Sequence, residues 1–543
     1  ALPAADGKSW EGWFRDLVDQ GRAAQARIAR AGATVTLWFA AERWSLIGAA
    51  YPEAALSPRL QLSDDFLKPV ESGDAVHDLI RGRLGVTGPV TAGALAGTLG
   101  LDRPAVEAAL ARLELEGLVL QGRYTAEGTK PGSEIEWCDR RLLARIHRLT
   151  MDGLRRSFQP VPPETYWRYL ADYHHLAPNA HRDGLLGLRE AVGQLQGFEM
   201  PAGAWEPDVL AHRVDDYRPE QVDQLSYAGE LVWGRLHPPG AAGDEESARA
   251  MLSRVVPISL AFRDDLPWLL PPGRESSEAR ARSEARRVYQ TLRERGALFT
   301  HDLAQWTGLL DSRIEDALSE LAAWGLVTAD GFGALRAIVA PRRSESTRQR
   351  SQRRARAPFG GGRWTLFPGR LPPVSPDDRL RSWATQLLRR YGIVFRDLLT
   401  RETVAPAWWE LVPIYRRMEA RGEIRGGRFV AGVAGEQYAF PEAVEALRRP
   451  RDDEESWLVI SAADPLNLVG VVLPGTRVPA TRGNRLLLHN GRLAATYQAG
   501  EVQILERASE SDADKMSRAL RLTQLPQLRE DLLQELAQGA QKR

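Results

Sequence analysis

The chain has 543 residues, of which 43% are apolar and 26% are charged, a length that exceeds one hydrophobic core and predicts three to five domains. Its 72 basic and 71 acidic residues leave a formal net charge of +1, which excludes a global field attracting nucleic acid and leaves only local patches for that role. The single cysteine, Cys138, excludes an internal disulfide framework and a cysteine-rich zinc site.

Hydrophobic periodicity and turn residues predict a mainly α protein with small β elements, built from tandem winged-helix modules plus small β-barrel-like domains. The predicted segments are an N-terminal β-containing segment (1–70), a first winged helix (71–130), a helical and winged-helix block (131–275), a second winged helix (276–340), a basic disordered linker (341–363), a third winged helix (364–450), a small β-barrel-like domain (451–508) and a C-terminal helix (509–543).

The winged helices are predicted from an internal repeat. The segments that start at Gly88 and Gly296 align without a gap, and a third copy from Gly392 needs one inserted residue. In each copy a helix precedes the first glycine, two helical stretches follow, and a short β-prone run ends the copy. A later glycine stands where a helix C-cap is expected in every copy: Gly117, Gly325 and Gly422. Three helices followed by a hairpin make a winged helix.

A short arginine-rich segment separates the second and third copies. Residues 341–364 include eight arginines but no apolar periodicity, which predicts a disordered interdomain linker. Two interpretations stay open for Arg353, Arg354 and their neighbours. They form a solvated spacer, or they form a flexible arm that binds nucleic-acid phosphates without sequence preference.

The second helix of each helix-turn-helix is the one that would read DNA. In the first two copies its exposed face is neutral to acidic, which favours a structural or protein-binding role. The third copy offers Arg416 and Arg417 for nucleic acid. A stronger basic face is predicted on the helix in CDRRLLARIHRLTMDGLRR, where five arginines share one side at 100° per residue: Arg141, Arg145, Arg148, Arg155 and Arg156. That stripe binds phosphates or is a solvated helix face.

Near the C-terminus, the stretch beginning SWLVISAADPLNLVG alternates apolar and polar residues between glycines, prolines and asparagines. It predicts five or six short antiparallel strands, followed by a helix over residues 511–538. The sequence contains no run of 18 apolar residues, so no membrane span is predicted. The N-terminus lacks the pattern of a secretory signal, and a cytoplasmic protein is therefore expected. No histidine or cysteine spacing predicts a metal site.

Four long stretches carry a family resemblance: WCDRRLLARIHRLT, GQLQGFEMPAGAWEPDVLAHRVDDY, GEQYAFPEAV and SAADPLNLVG. They resemble the C-terminal region of the large helicase-related (Lhr) family, bacterial superfamily-two helicases of DNA repair. The resemblance implies tandem winged helices that nucleate a homo-oligomer, a tetramer, and that bind DNA, single-stranded or forked. No GxxxxGK[ST] phosphate loop is present, so no cofactor is expected; ATP and Mg²⁺ would belong to a motor that this sequence lacks.

A second resemblance lies inside the first. VGQLQGFEMPAGAWEPDVLAHRVDDY is similar to the catalytic neighbourhood of the AlkZ/YcaQ DNA glycosylases. The resemblance matches Gln194 and Gln196, then Arg213, Asp216 and Tyr217, with a spacing that differs by about one residue. It implies that Gln194 and Gln196 position a water.

Breaking an N-glycosidic bond builds positive charge on the sugar, which Glu199 could stabilise beside that water. Alternatively, both glutamines satisfy buried backbone groups. Arg213 is also a candidate nucleic-acid contact. Two functions follow: an oligomerising, nucleic-acid-binding region of an Lhr-type helicase, or a glycosylase acting on uracil or another damaged base through the segment from Gln194 to Glu199.

Overall fold

The computed structural model of the chain has two compact units, Ala1–Leu154 and Arg155–Arg543. The structure describes residues 10–30, 33–125, 130, 132–156, 158–177, 180–238, 251–271, 281–339, 362–369, 371–449, 455–522 and 526–541. Helices dominate and the sheets are small, so the prediction of a mainly α protein with small β elements is confirmed.

The first unit begins with a three-stranded antiparallel sheet in the order β2-β1-β3. Its elements are α1 (Trp10–Asp19), β1 (Ala23–Arg30), β2 (Ala33–Ala40), α2 (Trp44–Ala50) and β3 (Ala55–Ser57). Because side chains alternate along a strand, β1 turns Ala24, Ala26 and Ile28 into a core that it shares with the first winged helix.

The first winged helix has the predicted order of three helices and a wing. Its elements are α3 (Ser72–Leu84), β4 (Val90–Thr91), α4 (Ala92–Leu99), α5 (Arg103–Leu115), β5 (Val119–Gly122) and β6 (Glu136–Asp139). The i, i+4, i+7 spacing of Val106, Leu110 and Leu113 puts all three in the core. Helix α6 (Arg140–Arg156) follows β6 directly.

A central block opens the second unit. It comprises α7 (Pro163–Tyr173), β7 (Arg182–Asp183), α8 (Gly184–Leu195), β8 (Met200–Pro201), β9 (Val214–Asp215), α9 (Pro219–Tyr227), β10 (Leu231–Gly234), β11 (Pro257–Phe262) and α10 (Leu266–Leu269). Helix α8 ends just before Gly197, which has a φ of +85°. A Cβ there would lie 2.7 Å from Leu269, so both backbone and packing require glycine.

The second winged helix corrects one predicted boundary. It contains α11 (Ser283–Arg295), α12 (Thr300–Thr307), α13 (Asp311–Ala323), β12 (Val327–Ala329), α14 (Phe332–Val339) and β13 (Trp364–Leu366). Strand β13 was assigned to the third module, but it pairs antiparallel with β12, and Trp364 also bridges to Leu298. The predicted linker therefore lies within the second module, between α14 and β13, because β12 and β13 pair as one wing.

The third winged helix keeps the topology but changes one helix. Its elements are α15 (Pro376–Tyr391), β14 (Ile393–Val394), α16 (Trp408–Ala420), β15 (Arg425–Gly427), β16 (Gln437–Ala439) and α17 (Pro441–Arg448). A 3₁₀ stretch, Arg396–Arg401, replaces the second helix of the other copies. The residues after it include β-branched Thr403 and Val404 and then Pro406, which favour extended backbone.

The internal repeat is a structural repeat. The sheets run β4-β6-β5 and β14-β16-β15 in the first and third modules, with the third strand between the other two. The C-cap glycines adopt the left-handed backbone in all three modules, with φ of +70° at Gly117, +66° at Gly325 and +74° at Gly422. The winged-helix prediction is confirmed.

The C-terminal region is an open meander, β17 (Trp457–Ser461), β18 (Arg485–His489), β19 (Arg492–Gln498) and β20 (Glu501–Ile504). Its strands pair only in that order, and no pairing between β17 and β20 closes a barrel within the described residues. Two helices replace the single predicted one, α18 (Glu510–Arg521) and α19 (Pro526–Gln541). Proline suits the first turn of a helix but not its interior, which explains the new start at Pro526.

Candidate functional site

Helix α6 carries the clearest basic face. Asp139 starts the helix by accepting hydrogen bonds from the backbone N–H groups of Arg141 and Leu142 at 2.8 and 2.9 Å. Arg141, Arg145 and Arg148 are all exposed on one side. No carboxylate pairs with any of the three in the part of the chain that the structure describes. The predicted Arg155 and Arg156 lie on the same helix, but their side chains fall outside the described residues.

The arginines of the recognition helices, by contrast, are ion-paired. On α5, Arg103 contacts Glu107 and Glu134, and Arg112 contacts Asp74 at 2.6 Å. On α13, Arg313 lies 3.9 Å from Glu284. These partners offset most of the positive charge on each helix.

The two candidates on α16 are exposed but also paired. Arg416 lies 3.1 Å from Glu436, and Arg417 lies 2.5 Å from Asp377. Exposed pairs of this kind contribute only about 0–1 kcal/mol, so a phosphate can displace either carboxylate.

Arg213 does not fit the predicted role in nucleic-acid binding. Its side chain is 0% exposed and donates two hydrogen bonds to Asp464, at 2.8 and 3.0 Å. Burial alone would raise the pKa of Asp464, but the charge and hydrogen bonds of Arg213 outweigh it and lower that pKa. Arg213 therefore joins the central block to the loop after β17, a partner 251 residues away that local spacing could not reveal.

Arg353 and Arg354 lie outside the described residues. The described chain stops at Val339, the end of α14, and resumes at Gly362, just before β13. Their predicted contact with phosphates stays a prediction.

Gln194 and Gln196 face the protein interior at the end of α8. The Gln194 amide donates to Tyr173 O at 2.9 Å. Gln196 donates to Asp265 at 2.9 Å and accepts from the Phe262 N–H at 3.2 Å. Both ends of the Gln196 amide are thus engaged, whereas Gln194 Oε1 has no partner among the described residues.

Glu199 lies on a different surface. One carboxylate oxygen accepts from the backbone N–H groups of Leu236 and His237 at 2.6 and 3.0 Å, and the other contacts Thr403 Oγ1 at 3.3 Å. Burial raises the pKa of Glu199, and the two N–H groups offset this only partly. No hydrogen bond links Glu199 to Gln194 or Gln196 among the described residues.

A buried arginine on α15 holds the glutamine segment in place. Arg390 donates to the backbone carbonyls of Gln194 and Gln196 at 3.3 and 2.5 Å, and it is ion-paired with Glu402 at 2.5 Å. Gln386, one turn earlier, donates to Gln194 O at 3.0 Å. Sequence reasoning missed Gln386 and Arg390 because nothing local marks a polar residue whose partner lies almost two hundred positions away, and it missed Glu402 because its role depends on Arg390.

An open cleft of about 400 Å³ lies beside β7, β9 and α9. Asp183, Asp215 and Asp216 line it, and His181 Nδ1 lies 2.8 Å from Asp215. Asp216 has a left-handed backbone, with φ of +48°. Its neighbour Tyr217 turns away and donates to Glu206 at 2.6 Å. Of the residues matched to the glycosylase pattern, Asp216 is the one that reaches this cleft.

Within the described residues, no group of three histidine, cysteine or carboxylate side chains could hold a metal ion. No helix among them is long and apolar enough to span a bilayer.

Two family models match inside the second unit. Residues 161–253 and 373–459 match the third and the fourth winged-helix domain models of the large helicase-related protein. These two segments are identified as Lhr winged-helix domains. The second match covers the third winged helix described above, and the first covers most of the central block. The chain corresponds to a C-terminal part of an Lhr-type helicase.

Two curated Lhr relatives extend the match over most of the chain. The "Lhr helicase/ probable uracil glycosylase" of Mycolicibacterium smegmatis is 28% identical over 480 residues, 82% of this chain and 30% of its own length. The "Lhr helicase/uracil glycosylase" of Escherichia coli is 25% identical over 456 residues, which are 76% of this chain and 28% of that protein's length. The chain thus spans less than a third of either relative.

A solved structure of the DNA glycosylase AlkZ from Streptomyces sahachiroi overlaps 66% of this chain and 96% of its own, with 14% identity and a TM-score of 0.37. A TM-score this low supports no conclusion about a shared site.

Proposed function

We propose that this chain is a nucleic-acid-binding and assembly region of an Lhr-type helicase, and that α6 supplies its main phosphate contacts. The exposed arginines at positions 141, 145 and 148, which have no carboxylate partner among the described residues, carry the proposal. A cation without a carboxylate partner releases a DNA counterion on binding and gives up no ion pair in exchange. The recognition helices of the first two modules are neutral to acidic, since α5 carries two arginines and two glutamates and α13 carries one arginine and four carboxylates.

Salt-dependent binding tests this role. Each lost phosphate contact lowers the slope of log K against log salt by about 0.7 on a single strand. The triple variant Arg141→Gln/Arg145→Gln/Arg148→Gln should therefore lower the slope by about 2. Arg103→Gln/Arg112→Gln, on α5, is the matched control and should leave the slope unchanged. A triple variant with the wild-type slope and affinity contradicts the proposal.

Assembly into a homo-oligomer, a tetramer, is part of the same proposal. Large apolar side chains of the first winged helix support it, since Leu115 is 91% exposed and Leu120 is also exposed. Light scattering across a range of protein concentrations should give about four times the chain mass of 60.3 kDa. A mass of one chain at every concentration contradicts this part.

A DNA glycosylase is the second candidate, supported by the names of both relatives and by the acidic cleft. Such an enzyme needs a carboxylate beside the sugar and room for a base taken out of the stack. The cleft offers Asp183 and Asp216 in an open space, whereas Gln196 is buried and fully bonded. If the chain has this activity, we place it at the cleft.

Alkali treatment of a uracil-containing single strand tests the activity and its location. Asp216→Asn should abolish strand breaks while keeping the backbone, because asparagine also tolerates a left-handed φ. Gln194→Ala/Glu199→Ala should still cleave, as should Glu510→Gln, a control at the start of α18. Loss of activity only in the Gln194/Glu199 variant would move the site back to that segment. The absence of breaks on any lesion would remove the second candidate.

A further inference from the structure

One tryptophan of the third winged helix lacks any ring or cation partner. Trp409 is 75% exposed, and no aromatic ring or arginine covers either face of its indole within the described residues. The other exposed tryptophans are covered on one side. Trp10 contacts Trp13, Trp38 stacks on Phe14, and Arg295 lies 3.3 Å from the ring of Trp306.

The position of Trp409 is fixed by its neighbour. Trp408, the first residue of α16, packs against Tyr415 and Tyr438 with ring centroids 5.8 and 6.3 Å away. Trp408 is partly buried against the core, and one residue further along a helix turns the side chain by 100°, which directs Trp409 to solvent. The indole thus projects from the first turn of the recognition helix on a rigid support.

The surroundings of Trp409 favour a polyanion. Arg416 and Arg417 follow it by seven and eight residues, about 11 and 12 Å along the axis of α16 and about 20° and 80° around the helix from it. Residues 376–449 of this module include 13 basic and 10 acidic residues, a net charge of +3. Residues 72–139 of the first module include 6 basic and 10 acidic residues. Residues 281–339 of the second module include 7 basic and 8 acidic residues. The helices and wing of the third module therefore carry excess positive charge themselves, whereas the second module gains one only through the arginine-rich segment between α14 and β13.

We propose that Trp409 is a stacking platform for an unpaired base of a single nucleic-acid strand, with Arg416 and Arg417 on phosphates of the same strand. This rests on the proposed nucleic-acid binding and adds its strand preference. Base stacking on an exposed aromatic ring needs an unpaired base and no sequence readout. The ion pairs of the two arginines are exposed, so phosphates can replace the carboxylates.

Binding to two oligonucleotides of equal length tests the inference, one an ordinary single strand and one with abasic positions. Trp409→Ala should weaken binding to the ordinary strand by about 5- to 150-fold, the range expected for one stacked base. It should leave binding to the abasic strand and the salt slope unchanged. Trp409→Phe should restore much of the loss, and Trp306→Ala is the matched control with no expected effect.

Three results would overturn the inference: equal weakening on both strands, no weakening on either, or a change in molar mass on Trp409→Ala. The last would mean that Trp409 packs against a second copy of the chain. These results can be distinguished from a failure of the proposed nucleic-acid binding. If the wild type binds and its salt slope depends on the α6 arginines while Trp409→Ala has no effect, only the stacking fails. If the wild type binds neither strand, both fail.

Discussion

A buried histidine gives the chain a calculable dependence of stability on pH. His174 is fully buried after α7, and its Nε2 donates to Arg390 O at 2.5 Å. Nδ1 has no partner among the described residues, so a second ring proton would have no acceptor there. Burial, followed by the charge of Arg213, lowers the pKa of His174 to about 3.

The sign of the effect follows from linkage. The folded pKa is depressed, so the unfolded state takes up a proton below about pH 6.5 while the folded state stays neutral until about pH 3. The contribution of His174 is therefore intact above pH 6.5 and is lost as the pH falls toward 3. At 1.36 kcal/mol per pH unit, the loss between pH 7.5 and 5.0 is about 2 kcal/mol.

Urea unfolding of the wild type and of His174→Gln at both pH values isolates this loss. Glutamine can still donate to the carbonyl of Arg390 but cannot titrate. The free energy of unfolding of the wild type should fall by about 2 kcal/mol more than that of the variant. His301→Gln, at an exposed histidine, should behave as the wild type. An equal pH loss in the wild type and in His174→Gln would refute the burial argument.

Two substitutions test the packing of the second unit. Arg213→Met should lower the free energy of unfolding by about 3–5 kcal/mol, because it leaves Asp464 buried without its partner. Adding Asp464→Leu should recover most of this loss. Equal losses in the single and double variants would contradict the ion-pair account. Gly392→Ala should lower the melting temperature more than Gly117→Ala, since both glycines have a left-handed backbone but a Cβ at Gly392 would lie 2.1 Å from Tyr169 Oη, whereas one at Gly117 meets nothing within 4 Å. Equal shifts in the two melting curves would argue against that contact.

The winged helices could be predicted because their signal is local. The spacing of Val106, Leu110 and Leu113 and a glycine four residues later define the last helix and its end within one short segment. The third copy shows the limit of this signal. Its inserted residue left the alignment readable, but the sequence did not show that the helix after Gly392 becomes a 3₁₀ stretch.

The features that could not be predicted depend on distant partners. An arginine is expected at the surface, and only the pairing of Arg213 with Asp464 explains why it is buried. Gln194 and Gln196 matched a catalytic pattern, but in the structure their backbone carbonyls accept hydrogen bonds from Arg390 on α15. The exposed arginines of α6 were predictable from periodicity, whereas the pairing of Arg416 and Arg417 required the positions of Glu436 and Asp377.

The pairing of β12 with β13 changes what the arginine-rich segment can do in the intact protein. The chain leaves the wing of the second module at Ala329, passes through α14, and re-enters the same wing at Trp364. The number of residues between these points therefore does not set the distance from the second module to the third. Deleting or lengthening that stretch would change the net charge of the second module and leave the connection between the second and third winged helices as it is, so the two properties can vary independently.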